Sequence, residues 1–295
     1  MIEPFTVPFM GRALAELALL ALICGPVSVF VFARRLSFVS DALTHTVFPG
    51  VVIGFLAGGI EGIVVGALCA GVVTAVVLTL LTRGGALSDD ASTAVVLTAM
   101  FSIGVLLVSR RSSYTSDLTS FLFGRILTVT PRQLMETAVL AVVILGLLLI
   151  MARALIFRTF DPVGAAAAGF RIAWLDLCLN IIVALVVVAA VRAVGTILVV
   201  ALLIVPAAAA RMLTSRLPAM AAVGTGLILV AAYGGLLASW TASIDYGISL
   251  TSASAVVLLL VLAYLLLLPL GALRLRRSRK QMVPDARRSP HELVG

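Results

Sequence analysis

One lysine, two histidines and three cysteines are all that this chain of 295 residues holds of those types, and charged residues make up only 12% of it. Each scarcity closes off a chemistry. The lone Lys280 has no glycine-rich turn before it, so the Gly-Lys-Ser/Thr loop that cradles nucleotide phosphates is missing and the chain cannot hydrolyse ATP by that route. Cys24, Cys69 and Cys178 lie in three separate apolar stretches without Cys-x-x-Cys spacing. That pattern excludes a local redox pair and suits small packing residues. His-Glu-x-x-His and Gly-x-Ser-x-Gly are both absent, so neither a zinc protease nor a serine hydrolase has its parts. Because His291 falls in a polar C-terminal segment, a metal site in the body of the chain must combine His45 with carboxylates or hydroxyls.

What is abundant is apolar: 62% of residues are hydrophobic, and the mean hydropathy is +1.23. A membrane span needs about 20 mostly apolar residues. Nine windows meet that requirement, at 13–33, 37–59, 60–82, 91–109, 134–156, 173–193, 195–214, 218–240 and 248–270. The second and third nearly touch at Gly58-Gly59, and the sixth and seventh at Gly195, which predicts tight helical hairpins. The count becomes eight if one hairpin is re-entrant. Val183–Ala190 and Val256–Leu268 are apolar on every face, unlike the short alternating segments of a barrel, so the fold class is an all-α polytopic membrane protein.

Arginine placement orients the chain, since short cytoplasmic loops retain positive charge during insertion. Nine spans with a cytoplasmic C-terminus put fifteen of the twenty-one basic residues inside. The expected organisation is an external segment at 1–12 without a cleavable signal, a transmembrane domain at 13–273, and a disordered polybasic cytoplasmic tail at 274–295. The loop 110–133 fits least well, because it leaves arginines outside. Its core at 118–127 is too short to span and too apolar for a free loop, as in an interfacial or re-entrant segment. The net charge of +8 sits in loops and tail, so its counterpart is anionic membrane lipid and not nucleic acid.

The ionisable pair inside the second window is the strongest functional signal. Asp41 and His45 stand four residues apart, on one helical face and about 6 Å apart along its axis. An acid and an imidazole in hydrocarbon mark an ion or proton path by default. Mixed nitrogen and oxygen donors suit manganese, zinc or iron better than magnesium or calcium, and Thr44 and Thr46 add nearby hydroxyls. Two ligands are too few for storage and fit transit. Pro49-Gly50, one turn on, invites a kink or gate. Further along, Asp161 before Pro162 reads as an N-cap followed by proline at the first helical position, opening a short helix through Ala165–Ala168 that Gly169 ends. Such a helix suits a groove on a partner.

The run Arg34-Arg35-Leu-Ser-Phe-Val-Ser-Asp41-Ala-Leu-Thr-His45-Thr-Val-Phe-Pro49-Gly50 resembles the signature of the permease subunits of bacterial ABC importers for manganese, zinc and iron, the ABC-3 family. Val194-Gly195 through Pro206 to Arg211 is similar to the family's glycine-to-proline helix, Phe121–Pro131 to its loop before the next span, and Phe160-Asp161-Pro162 through Gly169 to its ATPase-docking segment. The match departs at Val163-Gly164, where the family carries a bulky acidic residue, and at Thr44 and Thr46, where it carries serine and alanine.

The resemblance implies an ABC importer permease bundle in the bacterial inner membrane, working as a homodimer with its path on the dimer axis. It implies a cytoplasmic ABC ATPase and an extracellular metal-binding lipoprotein or periplasmic solute-binding protein as partners. Asp41 and His45 then contact the metal in transit, Pro49, Gly50 and Pro206 shape the gate, and no cofactor stays bound. A proton-coupled secondary metal transporter is the alternative. It should carry a second interior acid, but Asp89, Asp90, Asp117, Asp161 and Asp245 sit at span ends, with Asp176 the one candidate. An intramembrane enzyme is the third reading, and it lacks a nucleophile constellation.

Overall fold

A computed structural model of the chain describes residues 5, 7–83, 88–109, 124–247 and 250–281, with backbone only for Ile60, Leu270 and 272–281. The described residues are helical, without strands. In order they form α1 (Pro8–Ala33), α2 (Ser37–Thr46), α3 (Phe48–Arg83), α4 (Asp89–Ser109), α5 (Pro131–Phe160), the short α6 (Pro162–Ala167), α7 (Ile172–Leu213), α8 (Leu217–Asp245) and α9 (Ser252–Gln281).

Local chemistry sets several of these boundaries. Thr130 and Gln133 form a reciprocal capping box around Pro131, which fixes the start of α5. At the end of α1, the Leu36 N–H donates to the Val31 carbonyl and the Arg35 N–H to the Phe32 carbonyl, the double bond of a Schellman cap. Its left-handed position, usually glycine, is Arg35 with φ 57°. The cap turns the chain straight from α1 into α2.

Eight helical segments among the described residues are long and apolar enough to cross a membrane, α2 with the first leg of α3 (Ser37–Gly59) counting as one and the second leg of α3 (Glu61–Arg83) as another. One of them, α7, has 42 residues, or roughly 63 Å if straight, about twice the hydrocarbon thickness. Its contacts show that it folds back. Near its start Asp176 accepts a hydrogen bond from Arg34 at the C-terminal end of α1. Near its finish Ala207 and Ala210 pack on Val29 at that same end. Midway, Arg192 donates to Glu136 at the start of α5, and the neighbouring Thr137 donates to Glu16 in the N-terminal half of α1. The reversal falls at Gly195, whose φ of 78° and ψ of 168° are non-helical. Divided at Gly195, α7 gives two legs, so the described residues offer nine membrane-length segments, in line with the nine sequence windows.

Helix α3, whose two legs are counted separately above, reverses at Gly58 and Gly59 in the same way. Its legs touch backbone to backbone. A Cβ on Gly50 would land on the Gly66 carbonyl oxygen, and one on Gly54 on that of Gly62. Small residues four apart are the usual means of such close approach in membranes.

The two ends of the bundle are here named after residues they carry. The Arg34 face also holds Arg83, Arg158, Asp161 and Asp176, and the Glu61 face holds Arg132, Glu136 and Arg192. The core lies around α7, which is buried along much of its length among α1, α2, α3, α5, α8 and α9. Cys24 and Cys178 are buried there as packing residues, but Cys69 on α3 is exposed.

The first half of the segment expected to be re-entrant lies outside the described residues. Its second half tucks against the α7 reversal, where the Arg125 N–H donates to the Ala193 carbonyl and Ile126 and Val129 are buried. Helix α9 runs to Gln281, so the basic segment begins as a continuation of the last helix, and residues 282–295 lie outside the described residues.

Candidate functional site

Asp41 and His45 sit on α2, which leaves the Arg34 face and carries His45 about 12 Å inward from Ser37. From Ser40 to Gly50 every residue is buried except these two. The side chain of Asp41 is 44% exposed and that of His45 30%, so the helix turns its only acid and its only imidazole out of the bundle. His45 Nε2 lies 4.0 Å from Asp41 Oδ1, too far for a hydrogen bond. A metal ion about 2.0–2.2 Å from each atom fits that gap. The His45 ring stands edge-on to Phe101 of α4, with centroids 6.0 Å apart, and Phe101 in turn packs on Phe48. These contacts give the imidazole an apolar backing.

The threonines are placed differently from the sequence expectation. Thr44 donates to the Asp41 carbonyl at 2.7 Å and Thr46 to the Leu43 carbonyl at 3.4 Å, and both are fully buried. Their hydroxyls serve the helix backbone and do not join the pair. No group of three or more His, Cys, Asp or Glu able to hold a metal occurs among the described residues. The pair is thus an open, two-ligand surface.

Pro49 and Gly50 occupy the first turn of α3, just past the break at Val47 between α2 and α3. Proline there costs no hydrogen bond. Gly50 is where the legs of α3 meet. Pro206 lies within the second leg of α7, where the backbone keeps helical dihedrals, and the non-helical residue of α7 is Gly195 instead. Pro206 packs beside Gly224 of α8.

The segment after α5 forms as its residues predict. Asp161 Oδ1 accepts from the Gly164 N–H at 2.7 Å, Pro162 opens α6, and Gly169 leaves it with φ 88°. A side chain on Gly164 would collide with the Asp161 carboxylate, so this glycine is what lets the cap close. Ala165 is buried as the pivot, while Phe160, Val163 and Phe170 project from the Arg34 face, Val163 at 78% exposure.

Sequence reasoning missed two groups. Glu16 is fully buried in α1, with Oε1 accepting from Thr137 at 2.8 Å and Oε2 unpartnered beside a water-sized cavity of about 20 Å³. Its acid lies within an apolar run and its partner 121 residues away, so no local pattern marks it. On the Glu61 face, Arg132 bridges Glu61 at 2.6 Å and Glu136 at 3.3 Å, and Arg192 holds Glu136 at 2.9 Å. At this face, then, Arg132 and Arg192 are neutralised by Glu61 and Glu136.

Comparisons with known proteins converge on one family. Residues 6–268 match the family described as "ABC 3 transport family". The chain is 32% identical over 242 residues to the manganese transport system membrane protein MntC of Halalkalibacterium halodurans, covering 82% of each chain. It is 32% identical over 238 residues to the chelated iron transport system membrane protein YfeD of Yersinia pestis, covering 81% of this chain and 79% of that one. Its fold is similar to PsaBC from Streptococcus pneumoniae, solved in complex with Fab, with TM-score 0.77 and 28% identity over 90% of this chain and 95% of that one. The family match over nearly the whole chain, the relatives and the shared fold agree, and this multi-pass membrane protein belongs to the ABC 3 transport family.

Proposed function

We infer that the chain is the membrane-spanning permease subunit of an ATP-driven importer for a divalent transition metal, manganese, zinc or iron, which passes between Asp41 and His45 by alternating access. The observation that carries this reading is the exposed pair on an otherwise buried helix. Turned toward lipid it would be costly, so a surface bearing it at this depth needs a polar partner. A second copy of the chain, facing the first across a shared axis, supplies that partner and the missing ligands. The named relatives in manganese and iron systems support the choice of cargo.

The arginine excess supports a cytoplasmic Arg34 face, with the N-terminus external and the C-terminus inside, in the bacterial cell membrane. On that face α6 offers Phe160, Val163 and Phe170 to a cytoplasmic ATPase, and the opposite face receives metal from an external binding protein. Val163→Asp should leave the protein folded, since the side chain is free, yet lower metal-dependent ATP turnover roughly tenfold or more by charging an apolar contact. Unchanged turnover in the reconstituted complex would remove α6 from the docking surface.

The buried Glu16 is the interior acid that a proton-coupled exchanger would need. It lies roughly 26 Å of helix from the C-terminal end of α1, well above the level of His45, and is tied to Thr137. That separation disfavours direct coupling to the pair. Proteoliposomes holding the chain with its ATPase and binding protein should take up Mn²⁺, Zn²⁺ or Fe²⁺ only with ATP. Uptake driven by a proton gradient without ATP would overturn the importer reading in favour of the exchanger.

A further inference from the structure

A cavity of about 840 Å³ opens at the Arg34 face between α2, α3, α4 and α7, and neither Asp41 nor His45 lines it. Its walls carry Arg34, Arg83, Arg158 and Arg171 against only Asp89 and Asp176. Asp176 is fully engaged, bridging Arg34 at 2.5 Å and Arg158 at 3.1 Å. Arg34 Nη1 and Arg158 Nε still lack a partner, and Arg83 and Arg171 are exposed without an ion pair among the described residues. Such a field repels a divalent cation, so this cavity is not the metal route. It suits an anion.

The rest of the wall identifies the kind of anion. Val76, Leu80 and Trp174 carry the lining into the apolar zone, with Trp174 61% exposed near the start of α7, where an indole sits at the membrane–water boundary. Guanidinium groups at the mouth of an apolar cleft between spans match a phosphodiester headgroup whose chains run down into the hydrocarbon. We propose that this cavity is a binding site for an anionic phospholipid, with Arg83 and Arg171 meeting the phosphate. The site is separate from the transport reading and does not depend on which way the face points.

The test uses the full-length chain in mixed micelles, with phosphatidylglycerol or phosphatidylethanolamine added and retention read by native mass spectrometry. Phosphatidylglycerol should bind selectively, about 30-fold more weakly to the Arg83→Ala/Arg171→Ala double variant, with most of the loss recovered by lysine at both positions. The single Arg171→Gln variant, altering one exposed side chain, gives a second reading should the double variant fail to fold, with an expected loss of about fivefold. Equal binding of the two lipids, or binding indifferent to these substitutions, would overturn the proposal. Displacement of the lipid by millimolar inorganic phosphate would also overturn it, by identifying free phosphate as the ligand. No transport is measured, so failure here leaves the importer reading untouched, and failure of ATP-dependent uptake leaves the lipid site untouched.

Discussion

Metal uptake through the His45→Ala chain is expected to fall about 100-fold or more, with Asp41→Ala close behind. Even groups that only orient a metal ligand cost 10–100-fold when removed, and these two side chains are proposed to meet the ion directly. Both are partly exposed, and the one ring contact, His45 edge-on to Phe101, lies at the rim of the bundle, so expression and thermal stability should stay near those of the unaltered protein. Thr44→Ala provides the contrast. Its hydroxyl is bound to the Asp41 carbonyl and turned into the bundle, so uptake should change little. Normal uptake by the Asp41→Ala/His45→Ala double variant at normal expression would sink the proposed pathway, whichever metal is offered.

The largest expected loss of stability comes from Gly62→Leu. At this point the legs of α3 lie so close that even a Cβ would overlap the backbone of Gly54, and backbone cannot swing aside as a side chain can. Four carbons there force the hairpin open, at a cost of about 3 kcal/mol or more, and break the contact that seats the start of α3 against its second leg. Thermal unfolding in detergent should shift down by many degrees, or folded protein should not be recovered. Gly58→Ala, at the same turn but with open space beyond it and a negative φ, should be nearly neutral. Equal melting temperatures for Gly62→Leu and Gly58→Ala would show that the close approach of the legs does not hold this hairpin.

Both of these sites were legible in the sequence. The hairpin was legible because glycines stand between two apolar windows that nearly touch, and the Gly195 reversal was legible for the same reason. The pair on α2 was visible because ionisable residues are scarce in spans and four-residue spacing places them on one face. Asp161-Pro162 announced α6 through chemistry confined to three neighbouring residues. What stayed hidden depends on partners far along the chain. Asp176 is held by Arg34, 142 residues away, and Glu16 by Thr137, so neither has a local signature. The threonines beside His45 misled for a different reason. A hydroxyl in an apolar helix has its own backbone carbonyl within reach, and that nearby acceptor wins over a distant ion.

The fold-back of α7 bears on how the protein is made. Helix α7 touches α1, α2, α3 and α5, which precede it, and α8 and α9, which leave the ribosome after it. When residues 172–213 enter the bilayer, α8 and α9 do not yet exist. The helix must wait beside lipid with part of its packing surface uncovered until these C-terminal spans arrive. Pulse-labelled nascent chains arrested before residue 250 should therefore be degraded faster than full-length protein, and arrest after α9 has inserted should restore their lifetime.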